Sequence, residues 1–265
     1  FLLRPRDNAW DVLVKPGKHV SVGDVIRLDK IEGRVLSKSD SLSVQFDLSD
    51  EELVAYANDH GEIPVPPYVH EAPAVLDDYQ TVYAKETGSV AAPTAGFHFT
   101  HELLSKIRDK GTEIHYVTLH VGIGTFRPMK TQTIEEHEMH AEFVIISPET
   151  AQAINKAKTE GRRVIAVGTT TVRTLEGVVQ KEVTKFLTCE KKYPFLPPAG
   201  FSGDVNLFIR PGFEFKIVDA LITNFHLPKS TLLVLVSAFA GREHILAAYH
   251  AAVREEYRFF SFGDA

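Results

Sequence analysis

Cysteine is nearly absent: Cys189 stands alone in 265 residues. It cannot close an internal disulfide, so the chain fits a reducing compartment and must be held together by packing. Long apolar runs are also missing. The longest uncharged apolar stretch, Leu232 to Ala240, is nine residues, against the roughly 20 that span a bilayer as a helix. The opening Phe1-Leu2-Leu3-Arg4-Pro5-Arg6 breaks at once into charge and proline, which is not the pattern of a signal peptide. Nor is there any excess of positive charge. The formal net charge is −6; residues 1–64 hold 8 basic and 12 acidic side chains, leaving 21 and 23 for the rest. Bulk charge therefore advertises no polyanionic partner. Contact with RNA would fall to local patches, for which Lys156, Lys158, Arg162, Arg163, Arg242, Arg254 and Arg258 are candidates, each equally readable as a solvated helix face.

What is present is ordinary globular composition, 44% hydrophobic and 24% charged, in a chain long enough for a large core and two domains. Residues 1–64 alternate in short runs (Trp10 to Lys15, Val20 to Leu28, Ser41 to Leu48) broken by Pro16-Gly17 and Gly33, which predicts a small antiparallel β unit. A helix over Asp50 to Asn58 follows. The stiff Pro64-Val65-Pro66-Pro67 predicts a boundary, giving domains 1–64 and 65–265. Beyond it strands and helices alternate. Thr100 caps a helix closed by Gly111; Ile114 to Val121 reads as a strand; Ser147-Pro148-Glu149 starts a helix that Gly161 ends. Val164 to Val167 is a short buried strand running through Gly168-Thr169-Thr170-Thr171 into a helix. Phe213 to Asn224 reads as a strand leading to a helix from Leu232. The last helix sets Ile245, Tyr249, Val253 and Tyr257 on one side. Such alternation implies an α/β domain with a largely parallel sheet.

Candidate chemistry gathers at the junctions. Gly168, Thr169 and Thr170 offer backbone N–H groups at a helix start, where an anion binds, and Arg173 on the first turn could add a bidentate contact; a plain threonine cap is the alternative. His98, His120 and His226 each adjoin an apolar element beside aromatics or glycine, where acid–base chemistry can be positioned, although lone histidines of this kind are ordinarily structural. Asn224 could cap a loop or meet a base edge. His137-Glu138-Met139-His140 fails the zinc-protease pattern, because its histidines are three rather than four apart. Gly122-Ile123-Gly124 lacks the third glycine of a dinucleotide loop.

Five stretches, Ala91 to Thr100, Thr118 to Phe126, Ala166 to Arg173, Asn224 to Thr231 and Tyr257 to Ala265, together resemble the S-adenosylmethionine:tRNA ribosyltransferase-isomerase family of queuosine biosynthesis. The resemblance runs from about Tyr68 to the last residue and is weaker before it. It implies a barrel-like α/β large domain carrying a smaller antiparallel β-barrel domain. It implies transfer and isomerisation of the ribosyl group of S-adenosylmethionine onto 7-aminomethyl-7-deazaguanine in a tRNA anticodon, giving epoxyqueuosine with loss of adenine and methionine. The donor is then a consumed substrate, with no cofactor and no metal. His98, His120 and His226 become the expected proton-transfer residues. Thr94, Phe97, Phe99, Thr125, Phe126, Gly168, Thr169, Thr170, Arg173, Asn224 and Phe225 become the expected substrate contacts. A cytoplasmic monomer with no membrane partner is expected. Because Phe1 is not methionine and Phe1-Leu2-Leu3 reads as the middle of an apolar element, a fragment lacking an N-terminal segment and a short tail is expected as well. Two other readings compete: a non-catalytic RNA-binding protein, disfavoured by the −4 balance of residues 1–64, and a metal-dependent hydrolase using His137 and His140.

Overall fold

The computed structural model describes residues 1–6, 8–39, 41–66, 69, 76–89, 91–121, 134, 136, 139, 141–186 and 195–265. The chain divides into two compact units, one of Phe1–Tyr79 with Lys85–Ala92, the other of Gln80–Ala84 with Pro93–Ala265.

The first unit is an antiparallel sheet of β1 (Leu2–Arg6), β2 (Ala9–Val12), β3 (Val25–Leu28), β4 (Ile31–Lys38) and β5 (Leu42–Phe46), in the order β1-β2-β5-β4-β3. Alternate side chains of β4 and β5 point inward, as a one-sided sheet requires, so Val35, Leu42 and Val44 join Trp10 and Val12 in one core. Helix α1 (Asp50–His60) begins with a reciprocal capping box between Ser49 and Glu52 and adds Leu53 to that core. Trp10 Nε1 donates to Asp50 Oδ1 (2.7 Å), tying β2 to the helix start. Buried Asp11 accepts from Arg4 and Arg6, both at 2.9 Å. Among the described strands β1 and β3 are sheet edges, and the expected barrel closure is not formed by them.

The second unit mixes α and β. Its elements are α2 (His101–Asp109), β6 (Thr118–His120), β7 (Glu142–Ile146), α3 (Pro148–Thr159), β8 (Ile165–Val167), α4 (Thr169–Phe186), β9 (Phe201–Val205), β10 (Ala220–Ile222), α5 (Thr231–Ala240) and α6 (Arg242–Arg254). Thr100, Ser147 and Ser230 cap α2, α3 and α5 through their hydroxyls, each removing an orphan N–H. Gly111 and Gly161 follow α2 and α3 at φ +83° and +70°, conformations that favour glycine.

The largely parallel sheet expected here is corrected. Among the described strands of this unit only β8 and β10 pair in parallel, while β6-β7-β9 is antiparallel throughout. The cause lies in β7, whose Glu142, Val144 and Ile146 are buried and whose Phe143 and Ile145 are half-buried; that alternation belongs to an antiparallel strand with one face in the core. The predicted strand from Phe213 to Asn224 shrinks to β10. Its earlier N–H groups, on Lys216, Ile217 and Val218, donate to the Glu176 carboxylate of α4 instead of to a neighbouring strand. The last helix ends at Arg254, so Tyr257 lies beyond it; Val253 is 65% exposed, and Tyr257, 52% exposed, meets the Phe225 ring edge-on at 6.2 Å.

Helix α4 is the centre of this unit. Val172, Leu175, Val178 and Val179 bury against Val144, Ala166, Ile217 and Leu235. Gly177 lets the helix approach β9 so closely that any side chain there would run into Val205. No helix among the described residues is long and apolar enough to cross a membrane; α5 and α6 are bent by 113° at their junction.

Candidate functional site

The carboxyl ends of β8 and β10 lie side by side, with Gly168 N–H donating to the Ile222 carbonyl (2.8 Å). The strand-to-helix turn before α4 and the loop beginning at Thr223 therefore open at the same edge, the position where open α/β sheets carry their ligands. Gly168 adopts φ +87°, and a methyl group there would sit 3.4 Å from Thr170 Oγ1 and 4.0 Å from Ala95 Cβ. The 3₁₀ turn Thr94–His98 thus rests against this edge.

Asn224 joins these pieces. Its side chain is buried; Thr94 Oγ1 donates to Oδ1 (3.0 Å), Nδ2 donates to the Gly263 carbonyl (3.1 Å), and Nδ2 lies 3.3 Å from His98 Nε2. Three segments far apart in sequence meet on one carboxamide. The C-terminal segment is shaped to deliver its carbonyl: Gly263 N–H donates to Phe260, Asp264 N–H to Arg258 O, and Asp264 accepts from Arg258 N (2.8 Å) and Nη2 (2.9 Å). Those hydrogen bonds from Arg258 hold the Asp264 carboxyl below its usual range. A side chain at 263 would overlap the Arg258 and Phe259 backbone, which is why glycine stands there. Phe97 packs 6.2 Å from Phe262 across the same junction.

The remaining expected residues are placed differently. His226 is 9% exposed and burial pushes its imidazole down to about 4. Its backbone N–H donates to Tyr249 Oη (2.7 Å) and Nε2 lies 3.3 Å from Thr223 Oγ1. At neutral pH it is a neutral ring holding the loop, which makes it a poor general acid. Phe225 stacks on Phe259 (4.7 Å) and meets Tyr249 edge-on (5.0 Å), so its ring is engaged in packing the tail. Arg173 does not lie open at the α4 N-terminus. It is 5% exposed and its Nη1 pairs with Glu142 Oε2 at 2.8 Å, Glu142 being 4% exposed. Thr169 is buried and Thr170 half-buried; the Thr171 hydroxyl is spent on Val167 O (2.7 Å). Because the Gly168 N–H is already bonded, the first-turn N–H groups of Thr169, Thr170 and Thr171 are those left for an anion. His120 is half-buried on β6 with its ring 6.0 Å from Phe143. Phe99 is half-buried beside the turn. Thr125, Phe126, His137 and His140 lie outside the described residues. No group of three or more His, Cys, Asp or Glu among the described residues is arranged to hold a metal ion.

Three partners escaped the sequence reading. Gly263 contributes only a carbonyl, which no residue type announces. Glu142 and Glu176 are carboxylates inside apolar elements; charges within the otherwise apolar Val172 to Val179 run are the signal by which Glu176 and Arg173 could have been recognised as internally paired.

His226 gives a pH test. In the unfolded chain it titrates near 6.5, in the native state near 4, so between those values the unfolded state binds a proton that the native state does not. Stability must therefore fall as pH drops through that window, by on the order of 3 kcal/mol once below it. Urea unfolding across that range should show the slope in the native protein and a flatter one in His226→Gln. An identical slope in both would mean that the imidazole is not desolvated.

A family model described as "Queuosine biosynthesis protein" matches residues 1–265. The chain is 52% identical over 270 residues to the S-adenosylmethionine:tRNA ribosyltransferase-isomerase of Natranaerobius thermophilus, an alignment that takes in 100% of this chain and 75% of that protein. A crystal structure of S-adenosylmethionine tRNA ribosyltransferase from Thermotoga maritima aligns with 99% of this chain and 71% of its own, at 33% identity and a TM-score of 0.49. The chain belongs to the queuosine biosynthesis ribosyltransferase-isomerase family.

Proposed function

We infer that this protein transfers and isomerises the ribosyl moiety of S-adenosylmethionine onto 7-aminomethyl-7-deazaguanine in a tRNA anticodon, giving epoxyqueuosine-tRNA and releasing adenine and methionine. The observation that supports the reading is the convergence of Thr94, His98 and Gly263 on Asn224, with the Gly168 turn close to Ala95 beside them, since the Thr94–His98 turn, the Gly168 turn, Asn224 and Gly263 come from four different stretches of the family resemblance.

The chemistry asks little of the protein beyond placement and proton handling. The sulfonium of the donor acidifies the neighbouring C5′ hydrogens, so a modest base suffices there, and adenine leaves more readily when a donor stabilises its developing charge. S-adenosylmethionine enters as a consumed substrate, and no cofactor is required by the reaction so written. We place His98 against the reacting groups because it is exposed and held by the buried Asn224; His120 is the other imidazole kept for proton transfer. His226 serves the loop. Phe97 and Phe99, on either side of His98, are suited to the sulfonium or the adenine face. Thr125 and Phe126 belong to the same expected set. The N–H groups at Thr169 and Thr170 take an anion, either the methionine carboxylate or a tRNA phosphate. Arg173 and Phe225 support the site from behind.

With this reading we propose a cytoplasmic location, where tRNA is found, no membrane partner, and action as a monomer, because every residue of the Asn224 cluster comes from one chain. We also propose that the boundary between the two domains lies near residue 64. Incubating the protein with S-adenosylmethionine and tRNA bearing the deazaguanine precursor should release adenine and methionine in equal amounts. Formation of S-adenosylhomocysteine instead would identify a methyltransferase and end the reading, and tRNA binding without turnover would favour the RNA-binding alternative.

A further inference from the structure

We propose that Asn224 is a positioning residue that fixes the tautomer of His98, so that the imidazole meets the substrate as a neutral Nδ1–H donor and not as the base. The proposal rests on the ribosyltransferase reading of the site and assigns the role of one residue within it.

The polarity of the Asn224 carboxamide is not free to choose. The Gly263 carbonyl 3.1 Å from Nδ2 can only accept, so the NH₂ end must face it, and the Thr94 hydroxyl 3.0 Å away supplies a donor to Oδ1 at the other end. Rotating the amide would set two acceptors, Oδ1 and the Gly263 oxygen, against each other inside a buried site. Gly263 cannot withdraw, because its backbone is held by Phe260 and by the three hydrogen bonds between Arg258 and Asp264. The same NH₂ therefore points its second hydrogen at His98 Nε2, 3.3 Å away. A nitrogen facing a donor must carry a lone pair. The proton of the neutral ring then resides on Nδ1, in the way that the hydrogen bond made by one ring nitrogen decides the state of the other.

One charge bears on this from outside the amide. Asp264 interacts electrostatically with His98. Its carboxylate is already bonded to the Arg258 guanidinium at 2.9 Å and to the Arg258 N–H at 2.8 Å, and it lies where solvent screens it. The Asn224 amide, by contrast, meets Nε2 directly, at 3.3 Å. A neutral imidazole with Nε2 capped in this way has no lone pair to offer the C5′ hydrogen. It has a fixed N–H to offer a ring nitrogen of the departing adenine or a developing negative oxygen, the electrostatic role of a preorganised donor. The group that removes the proton is then a different one.

Long-range proton–nitrogen correlation NMR on the ¹⁵N-labelled protein reads the tautomer directly, with His98 assigned by its disappearance in His98→Asn. The native protein should show Nδ1–H, and Asn224→Asp, which sets an acceptor opposite Nε2, should move the proton to Nε2. Single-turnover adenine release supplies a second arm. Asparagine carries its amide nitrogen at the δ position of the lost Nδ1, whereas glutamine carries it at the ε position. His98→Asn should therefore stay within about tenfold of native, while His98→Gln should fall by roughly 10²–10³ with S-adenosylmethionine binding retained. An Nε2–H ring or an imidazolium in the native protein at neutral pH overturns the proposal, as do equal losses in the two His98 variants. Failure of the native protein to release any adenine would instead sink the functional reading, and the NMR result would still decide the tautomer.

Discussion

Arg173→Ala should lower the unfolding free energy by about 3–5 kcal/mol, the usual cost of stripping one partner from a buried ion pair. Arg173 and Glu142 are both about as buried as core valines, and their contact is an ion pair of 2.8 Å between α4 and β7. Removing the guanidinium takes the Coulomb attraction of Arg173 away from a buried carboxylate paired in register with Val205, with its desolvation cost unchanged. The pair itself is less valuable than its rupture is costly. Arg173→Met combined with Glu142→Leu removes both charges at similar volume and should recover most of the lost stability, since buried pairs are often replaceable by apolar contacts. The buried Arg173 Nε has no hydrogen-bond partner among the described residues, which further lowers what the native arrangement contributes. Chemical denaturation with the slope m held constant measures each effect. If Arg173→Ala leaves the unfolding midpoint in place and raises the Michaelis constant for S-adenosylmethionine, the guanidinium is a ligand contact after all and the ion pair is incidental.

That outcome shows what local sequence can and cannot specify. The capping residues Ser49, Thr100, Ser147 and Ser230 and the glycines at 111 and 161 act within four residues of themselves, and each is found where its type predicts. Arg173 obeys the same local rule, standing on the first turn of α4, yet its charge is claimed by a residue 31 positions earlier that only the β7 register brings into reach. His98 and Asn224 are 126 residues apart. Their stretches were recognisable as polar boxes between apolar elements, but the carboxamide that links them, and the carbonyl that orients it, exist only once the C-terminal segment has folded back. The misread strand before β10 has the same origin, because a side chain 40 residues away takes the hydrogen bonds that a strand would have used.

That side chain, Glu176, carries the second large effect. It is 1% exposed on α4; Oε2 accepts from Lys216 N, and Oε1 accepts from both Ile217 N and Val218 N, all at 2.9 Å. Glu176→Ala would leave three backbone donors facing a space lined by α4, where Ile217 and Val218 are themselves buried. An unsatisfied buried N–H costs about 1–3 kcal/mol, so the change should destabilise the protein by at least ~3 kcal/mol. Glu176→Gln keeps one oxygen, which can serve Ile217 and Val218, and turns an NH₂ toward Lys216 N. Its loss should be about one hydrogen bond's worth, roughly 1–3 kcal/mol. The effect has a local signature that distinguishes it from general loosening: amide hydrogen exchange at 216 to 218 should accelerate most, ahead of the β8 and β10 amides. Because this segment runs directly into β10 and Asn224, turnover should fall in Glu176→Ala even under conditions where the protein remains folded, with the Asn224 amide less firmly aimed at His98. Uniform exchange across the unit, or a Gln variant as damaged as the Ala variant, would show that the carboxylate acts through its charge elsewhere and not by holding these three N–H groups.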